Sequence, residues 1–241
     1  MPTLRTQPQP WRSAALVLAA IGALGTLAPW TASAQVAPSA KQAAAYTGLH
    51  AAAHKGDLTA LEKLIATRPD LNARDTYGRT PVHVAAFARQ REALRALVKA
   101  GARLDLLEND RYDAVTIAAV ADDEATLAAL LASGASARLT TSIYDGTALI
   151  AAAHLGHDGV VRQLIAAGAP LDHVNNLHWT AVIESIVLGN GGPRHQATLK
   201  ALIDAGANLQ LTDRQGQTPL QLARGRGYSA MVQMLVKAGA R

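Results

Sequence analysis

The residues best able to do chemistry in this sequence are histidines, and two pairs of them have the spacing of one helix face. His50 and His54 lie four residues apart, and His154 and His157 lie three apart. Each pair could supply two ligands to a metal ion, but no acidic cluster and no third ligand stands at a familiar spacing from either pair. We therefore expect no metal and no other cofactor. A metal-binding protein that uses His50 and His54 is the alternative.

Nucleophilic catalysis has no support in the sequence either. The chain has no cysteine and no Gly-x-Ser-x-Gly motif. The glycine-rich run at 189–192 lacks the Lys-Ser/Thr pair of a phosphate-binding loop, so it is interpreted as a flexible turn. The acidic run at 122–124 suits a polar turn and the first residues of a helix, where negative charge complements the helix dipole. These patterns predict a protein that is not an enzyme.

A short recurring motif predicts the elements that would position a site. It is clearest at 80–86, Thr-Pro-Val-His-Val-Ala-Ala, where the threonine can cap a helix and the proline can occupy its first turn. Related motifs begin near residues 47, 80, 113, 147, 180 and 218, at intervals of 33, 33, 34, 33 and 38 residues. An apolar helix that ends in Gly-Ala follows each copy after the first, and polar stretches that suit hairpin-like fingers lie between the units.

On this motif and this period, residues 42–241 resemble the ankyrin-repeat family. The resemblance implies an all-α solenoid of about six helix-turn-helix units with hairpin-like fingers, in one domain over 42–241. His50 and His83 keep the histidine of the family motif, which has a structural role in the family. The fifth unit departs most from the pattern, because five extra residues at 190–194 lie in the turn between its helices.

The resemblance also implies where a partner would bind, since ankyrin proteins usually hold partners on a concave side built from finger tips and the exposed ends of the first helices. Carrying these positions over selects the candidate partner-binding residues Tyr77, Arg79, Phe87, Tyr112, Val120, Tyr144, Leu155, Leu177, Trp179, Val187 and Arg214. We expect the aromatic members to anchor a partner and the arginines to add polar selectivity. One subset would form an exposed apolar stripe across consecutive units: Phe87, Val120, Leu155 and Val187. The alternative is that individual members pack onto the next repeat.

Glu184 stands out because it occupies a helix position that is apolar in other units. Two interpretations are open. Its carboxylate could face the concave side and recognise a basic group of a partner, or it could be solvated beside the insertion at 190–194. We favour the solvated carboxylate because the whole unit is irregular.

Residues 1–34 lie outside the repeats and have the three parts of a secretory signal peptide. Two arginines precede an uncharged apolar run at 14–28, and Ala32-Ser33-Ala34 supplies a small-residue cleavage signal. We expect cleavage after Ala34 and a short mature linker at 35–41. An uncleaved membrane anchor is the alternative. The alanine- and arginine-rich composition suggests a bacterium with a GC-rich genome, and hence export to the periplasm.

The sequence thus predicts a non-enzymatic protein-binding module of the bacterial periplasm, with the accessory or protective role that the resemblance implies. The net charge of +5, which falls to about +3 without the two N-terminal arginines, is too small and too scattered for nucleic acid. We expect another protein as the partner, no nucleic acid, no membrane span after cleavage, and a monomer when free. The alternative function is that of a toxin-neutralising or effector-type ankyrin protein.

Overall fold

The computed structural model describes residues 36–241, and helices make up most of this part of the chain. The helices are α1 (Ala40–Ala45), α2 (Gly48–Lys55), α3 (Leu58–Ala66), α4 (Pro81–Phe87), α5 (Arg91–Lys99), α6 (Ala114–Val120), α7 (Glu124–Ala132), α8 (Ala148–Leu155), α9 (Asp158–Ala166), α10 (Ala181–Val187), α11 (Pro193–Asp204), α12 (Pro219–Gly225) and α13 (Ser229–Lys237). One short antiparallel pairing joins β1 (Thr140–Thr141) to β2 (Gly146–Thr147). The predicted signal peptide, 1–34, and Gln35 lie outside the described residues.

After α1, the helices form six antiparallel pairs, from α2 with α3 to α12 with α13. The first helices of successive pairs pack against one another, and so do the second helices. Each second helix contributes leucines that are fully buried in one continuous core, such as Leu61, Leu130, Leu164 and Leu235. The architecture is therefore the all-α solenoid that the sequence predicts, with a core that grows by one layer per unit.

The residue that opens each repeat motif is the N-cap of a first helix. Asp113 accepts the N–H of Thr116 at 2.8 Å, and Thr147 accepts the N–H of Ile150 at 3.3 Å. These caps satisfy N–H groups that the first turn of a helix leaves without a partner. Short helices of seven or eight residues are marginal alone, so caps and packing together define where each one begins.

His83 extends the cap of α4 into a bridge between two units. Its Nδ1 accepts the backbone N–H of Thr80 at 3.1 Å, and its Nε2 lies 3.0 Å from the carbonyl of Leu106 in the next unit. The neutral tautomer with a proton on Nε2 satisfies both contacts. Burial lowers the pKa of His83 to about 4, because the interior disfavours the charged imidazolium.

This geometry predicts a pH-dependent stability. The pKa of His83 is about 4 in the fold and about 6.5 in the unfolded chain. Between these two pH values the unfolded chain therefore binds a proton at His83 that the folded protein does not bind, which favours unfolding. We expect His83 alone to lower the free energy of unfolding by about 2 kcal/mol between pH 7.5 and pH 5. Urea unfolding at both pH values measures the change.

The sixth unit supplies the control for this prediction. There Gln221 takes the place of the histidine, and its Oε1 accepts the N–H of Thr218 at 2.8 Å. The variant His83→Gln should therefore keep the cap of α4 but has no imidazole to protonate. Between pH 7.5 and pH 5 its free energy of unfolding should fall by about 2 kcal/mol less than that of the wild type. Equal pH profiles for both proteins would contradict the assignment.

The insertion in the fifth unit is packed against its neighbours and lengthens α11 to 12 residues. The Tyr228 hydroxyl donates to the carbonyl of Gly189 at 2.9 Å, and His195 lies 3.1 Å from Asn190 Oδ1. Arg194 contacts Asp122 at 2.8 Å and Asp158 at 3.3 Å, so it joins three successive units. The interpretation of 189–192 as a flexible turn is therefore wrong: the insertion is held by side chains from the units on both sides.

Within 36–241, no helix combines the length and the apolar character that a bilayer crossing requires.

Candidate functional site

Hydrogen bonds join successive fingers, and successive first helices pack against one another; we call the fingers and the first helices together the inner face. Each finger winds around one polar side chain. Asp75 Oδ1 accepts the N–H groups of Tyr77 and Arg79 at 2.8 Å each. Asn175 does the same for Leu177 and Trp179 at 3.0 Å each. The sequence adopts a tight turn here because Asp and Asn readily bond to their own backbone two residues on.

Hydrogen bonds from tip to tip join successive fingers into a row. The Asn109 N–H donates to the carbonyl of Tyr77 at 3.0 Å, and the Asn176 N–H donates to the carbonyl of Tyr144 at 2.9 Å. Arg214 Nη2 continues the row by donating to the carbonyl of Asn176 at 2.8 Å. The finger tips therefore form a preorganised surface, which loses little conformational entropy when a partner docks.

The eleven candidate residues divide into three groups by exposure. Those exposed at finger tips are Tyr77, Tyr144 and Arg214. Those partly buried are Phe87, Val120, Leu155, Leu177 and Trp179. Those buried are Arg79, Tyr112 and Val187, which are 1%, 7% and 9% exposed.

The expectation that Arg79, Tyr112 and Val187 lie exposed on the inner face is wrong. Tyr112 belongs to the hydrophobic core, where burial raises the pKa of its phenol to about 12. Val187 ends α10, every residue of which is buried. The predicted apolar stripe is therefore interrupted in the fifth unit, and its other members are only partly exposed.

Among the exposed apolar residues are Ile143, which the sequence analysis did not select, and Leu188, which follows the candidate Val187. Ile143 is 60% exposed, next to Tyr144 at 49%, in the finger that carries β1 and β2. Leu188 is 43% exposed directly after α10. The extra residue of this finger, which makes its repeat interval 34, is the signal that could have identified Ile143. We call Tyr77, Ile143 and Tyr144 the tip residues.

Arg79 is buried beside two aromatic rings, and we call its surroundings, formed by Asp75, Tyr77 and Phe87, the notch. Its guanidinium carbon is 4.5 Å from the ring centre of Tyr77 and 5.6 Å from that of Phe87. Such cation–π contacts, with the nearby carboxylate of Asp75 at 3.8 Å, help to compensate its burial. In this arrangement Arg79 is a structural part of the inner face.

Glu184 is neither solvated nor free to meet a partner, so both interpretations from the sequence are wrong. It is 5% exposed, its Oε1 accepts the Asn175 side-chain N–H at 2.9 Å, and its Oε2 lies 3.4 Å from His154 Nδ1. Because Asn175 is the residue around which its finger winds, Glu184 fixes that finger from inside the fold.

We expect Glu184→Ala to lower the free energy of unfolding by about 2 kcal/mol, because it leaves the buried amide of Asn175 without an acceptor. Glu184→Gln keeps an acceptor of similar shape and should cost less than half as much. Guanidinium unfolding of both variants measures the difference. Glu62→Ala, at an exposed position of α3, is the control, and an equal loss in Glu62→Ala and Glu184→Ala would contradict the role.

The histidines that invited a metal interpretation have structural partners. His50 Nε2 lies 2.9 Å from the carbonyl of Arg79, and His157 Nδ1 lies 2.9 Å from the carbonyl of Ala119. The ring of His54 lies against Tyr46, with centroids 6.1 Å apart. In the described part of the chain, no group of three or more His, Cys, Asp or Glu residues is arranged to hold a metal ion. The structural role expected for His50 and His83 is confirmed by their bonds to backbone groups of the next unit.

Comparison with known proteins identifies the repeats. A family model described as ankyrin repeats in three copies matches residues 16–110, 49–141 and 115–213, and a second ankyrin-repeat model matches 193–236. Over 98 residues the chain is 40% identical to the ankyrin repeat protein YahD of Escherichia coli strain K12, a match that covers 40% of this chain and 49% of YahD. The match thus spans about half the length of this curated relative.

Solved structures agree with the fold. An ankyrin repeat domain from Acinetobacter baumannii AYE has a TM-score of 0.76 and 40% identity, covering 80% of this chain and 98% of that domain. A chain in the complex of a predatory endopeptidase from Bdellovibrio bacteriovorus with an immunity protein has a TM-score of 0.66 and 25% identity, covering 80% of this chain and 98% of that one.

Proposed function

Because this chain belongs to the ankyrin-repeat family, whose repeats are protein–protein interaction modules, we propose that it is a non-enzymatic binding module that recognises a partner protein through its inner face. We propose further that it acts in the bacterial periplasm, in an accessory or protective role toward another envelope protein. The support for the periplasm is the signal-peptide pattern of residues 1–34.

One observation supports the proposal most strongly: the tip residues are large and exposed, and hydrogen bonds between successive fingers hold the surface that carries them. Tyr77, Ile143 and Tyr144 are 41%, 60% and 49% exposed. Tyrosines at the centre of an interface supply a large contact area at a small cost in entropy. Their backbone carbonyls lie in the tip-to-tip network, so the side chains are presented in fixed positions.

Photo-crosslinking in cells tests both binding through the inner face and location in the periplasm. A photoreactive phenylalanine analogue at Tyr144 should crosslink to a specific protein, and the crosslinked species should be released by osmotic shock. The same analogue at Val236, which is 52% exposed on α13, is the control and should give no specific crosslink. Crosslinking from Val236 and not from Tyr144, or a product confined to the cytoplasm, would contradict the proposal.

A toxin-neutralising role is a second candidate, supported by the likeness to a chain from the endopeptidase complex with an immunity protein. This candidate makes the partner a hydrolytic enzyme. Adding the purified chain should then inhibit the partner identified by crosslinking stoichiometrically, whereas a partner that the chain merely assists would keep its activity.

A further inference from the structure

We propose that the notch around Arg79 is a subsite for a backbone carbonyl of an extended partner segment, and that residues 36–39 of the chain itself occupy it in the free protein. A partner then binds by displacing these residues. This inference rests on the proposed function, since it assigns one part of the inner face to one element of the partner.

The occupant is visible in the structure. Arg79 Nη2 donates to the carbonyl of Val36 at 2.6 Å, across 43 residues of chain. Ser39, at the end of this segment, has the extended backbone φ −63° and ψ 160° and caps α1. The Val36 side chain is 56% exposed. A peptide carbonyl, rather than a side chain, is therefore what the notch holds.

The notch has more hydrogen-bonding capacity than this occupant uses. Arg79 Nε and Nη1 are buried and have no partner at hydrogen-bond distance within residues 36–241. Asp75 does not supply one, because its Oδ2 lies 3.8 Å from Nη1 and accepts the hydroxyl of Tyr46 at 2.8 Å. The Tyr46 hydroxyl is near Arg79: burial raises the pKa of Tyr46, and Arg79 offsets part of this rise. Unpaired buried donors are costly, so a better-fitting acceptor would be favoured over the carbonyl of Val36.

The charges around the notch favour a neutral acceptor over a carboxylate. Asp75 already faces the guanidinium, and burial raises the pKa of the nearby Glu108 carboxyl, a rise that the charge of Arg79 offsets in part. A further carboxylate would meet two like charges. The rings of Tyr77 and Phe87 line the notch with apolar surface, so the expected ligand is an extended segment with small, uncharged residues.

The segment is held lightly enough to be displaced. Among the described residues, the bond to Arg79 is the one hydrogen bond that joins 36–38 to the repeats. Tethering nevertheless gives the segment a high local concentration, which only a partner with additional contacts can overcome.

The test uses the full chain and the variant Val36→Gly/Ala37→Gly/Pro38→Gly, which makes the segment flexible while leaving the cap residue Ser39 in place. The probe is the blocked peptide Val-Ala-Pro-Ser-Ala, the sequence of residues 36–40. The readout is the NMR signal of the Arg79 Nε–H group, assigned by its loss in Arg79→Lys. We expect the peptide to shift this signal in the glycine variant at concentrations at least about 10-fold lower than in the wild type.

A peptide with a thioamide at the valine carbonyl is the matched control, because sulfur is a weaker and larger acceptor. It should bind the glycine variant less tightly than the ordinary peptide. For the partner identified by crosslinking, the glycine variant should bind about 10-fold more tightly than the wild type.

Equal responses of the two proteins to the peptide, or no response of Arg79 in either, would overturn the inference. A partner that binds both proteins equally tightly would also overturn it while leaving the proposed function intact. If the chain has no protein partner, the proposed function fails, and the peptide measurement still decides whether the notch accepts a carbonyl in trans.

Discussion

Replacing the three tip residues by alanine, in Tyr77→Ala/Ile143→Ala/Tyr144→Ala, should weaken binding of the crosslinked partner by at least about 100-fold. This factor corresponds to about 2.7 kcal/mol. Three large exposed side chains can account for this loss of binding free energy, because truncating a single hot-spot residue often costs about 2 kcal/mol or more. Titration calorimetry with the purified partner measures the dissociation constant.

The same variant should unfold at nearly the same denaturant concentration as the wild type, because exposed side chains contribute little to the core. Leu58→Ala/Val236→Ala is the matched control. Both of these residues are large, apolar and exposed, at 39% and 52%, but they lie on the second helices α3 and α13. A control variant that loses as much affinity as the tip variant would contradict a role specific to the finger tips.

The substitution Gly189→Ala, directly before the insertion, should lower the free energy of unfolding by about 3 kcal/mol because the added methyl group overpacks this turn. A Cβ added at Gly189 would lie 2.0 Å from the carbonyl oxygen of Ser185 and 2.6 Å from the ring of His195. Backbone cannot yield as a flexible side chain can, so the turn and the bond from Tyr228 to Gly189 must both shift.

Thermal unfolding followed by circular dichroism tests this prediction, with an expected fall in Tm of about 6–12 °C for a domain of this size. Gly225→Ala is the matched control, because a Cβ there meets nothing within 4 Å and Gly225 is in helix α12. Alanine at that position should be neutral or slightly stabilising. A Tm for Gly189→Ala within about 2 °C of the wild type would show that the insertion is not tightly packed.

The fold was predictable from the sequence because its local signals agree. The residues that open the motifs, from Thr47 to Thr218, are the N-caps of first helices, and the apolar helix that follows supplies buried leucines. Where glycine is missing, the turn geometry is still kept: Arg89 and Asp122 adopt φ values of 57° and 52° where Gly56 and Gly156 have 67° and 69°. Packing between units thus imposes a conformation that the residues do not favour.

The candidate site was less predictable, because neighbouring finger positions face opposite ways. Tyr77 and Tyr144 project at the tips, whereas Arg79 and Tyr112, which directly precede a helix cap, turn into the fold. Residue type alone did not separate these positions. The alternation of an extended chain would place Tyr77 and Arg79, two residues apart, on the same side, whereas Tyr77 is 41% exposed and Arg79 is 1% exposed.

Glu184 shows a second limit of sequence reasoning. A charged residue in an apolar register suggests function or solvent, but here its partners come from other elements: Asn175 in a finger and His154 on α8. The sequence separation between these three residues hides an interaction that exists only after the units stack.

Hydrogen–deuterium exchange of the chain with and without its partner tests the central claim most directly. The claim predicts that bound partner protects backbone amides in the fingers around Tyr77, Asn109, Tyr144 and Asn176, with unchanged exchange in the second helices α3, α5, α7 and α9. Protection confined to those second helices, with unprotected finger tips, would contradict binding through the inner face.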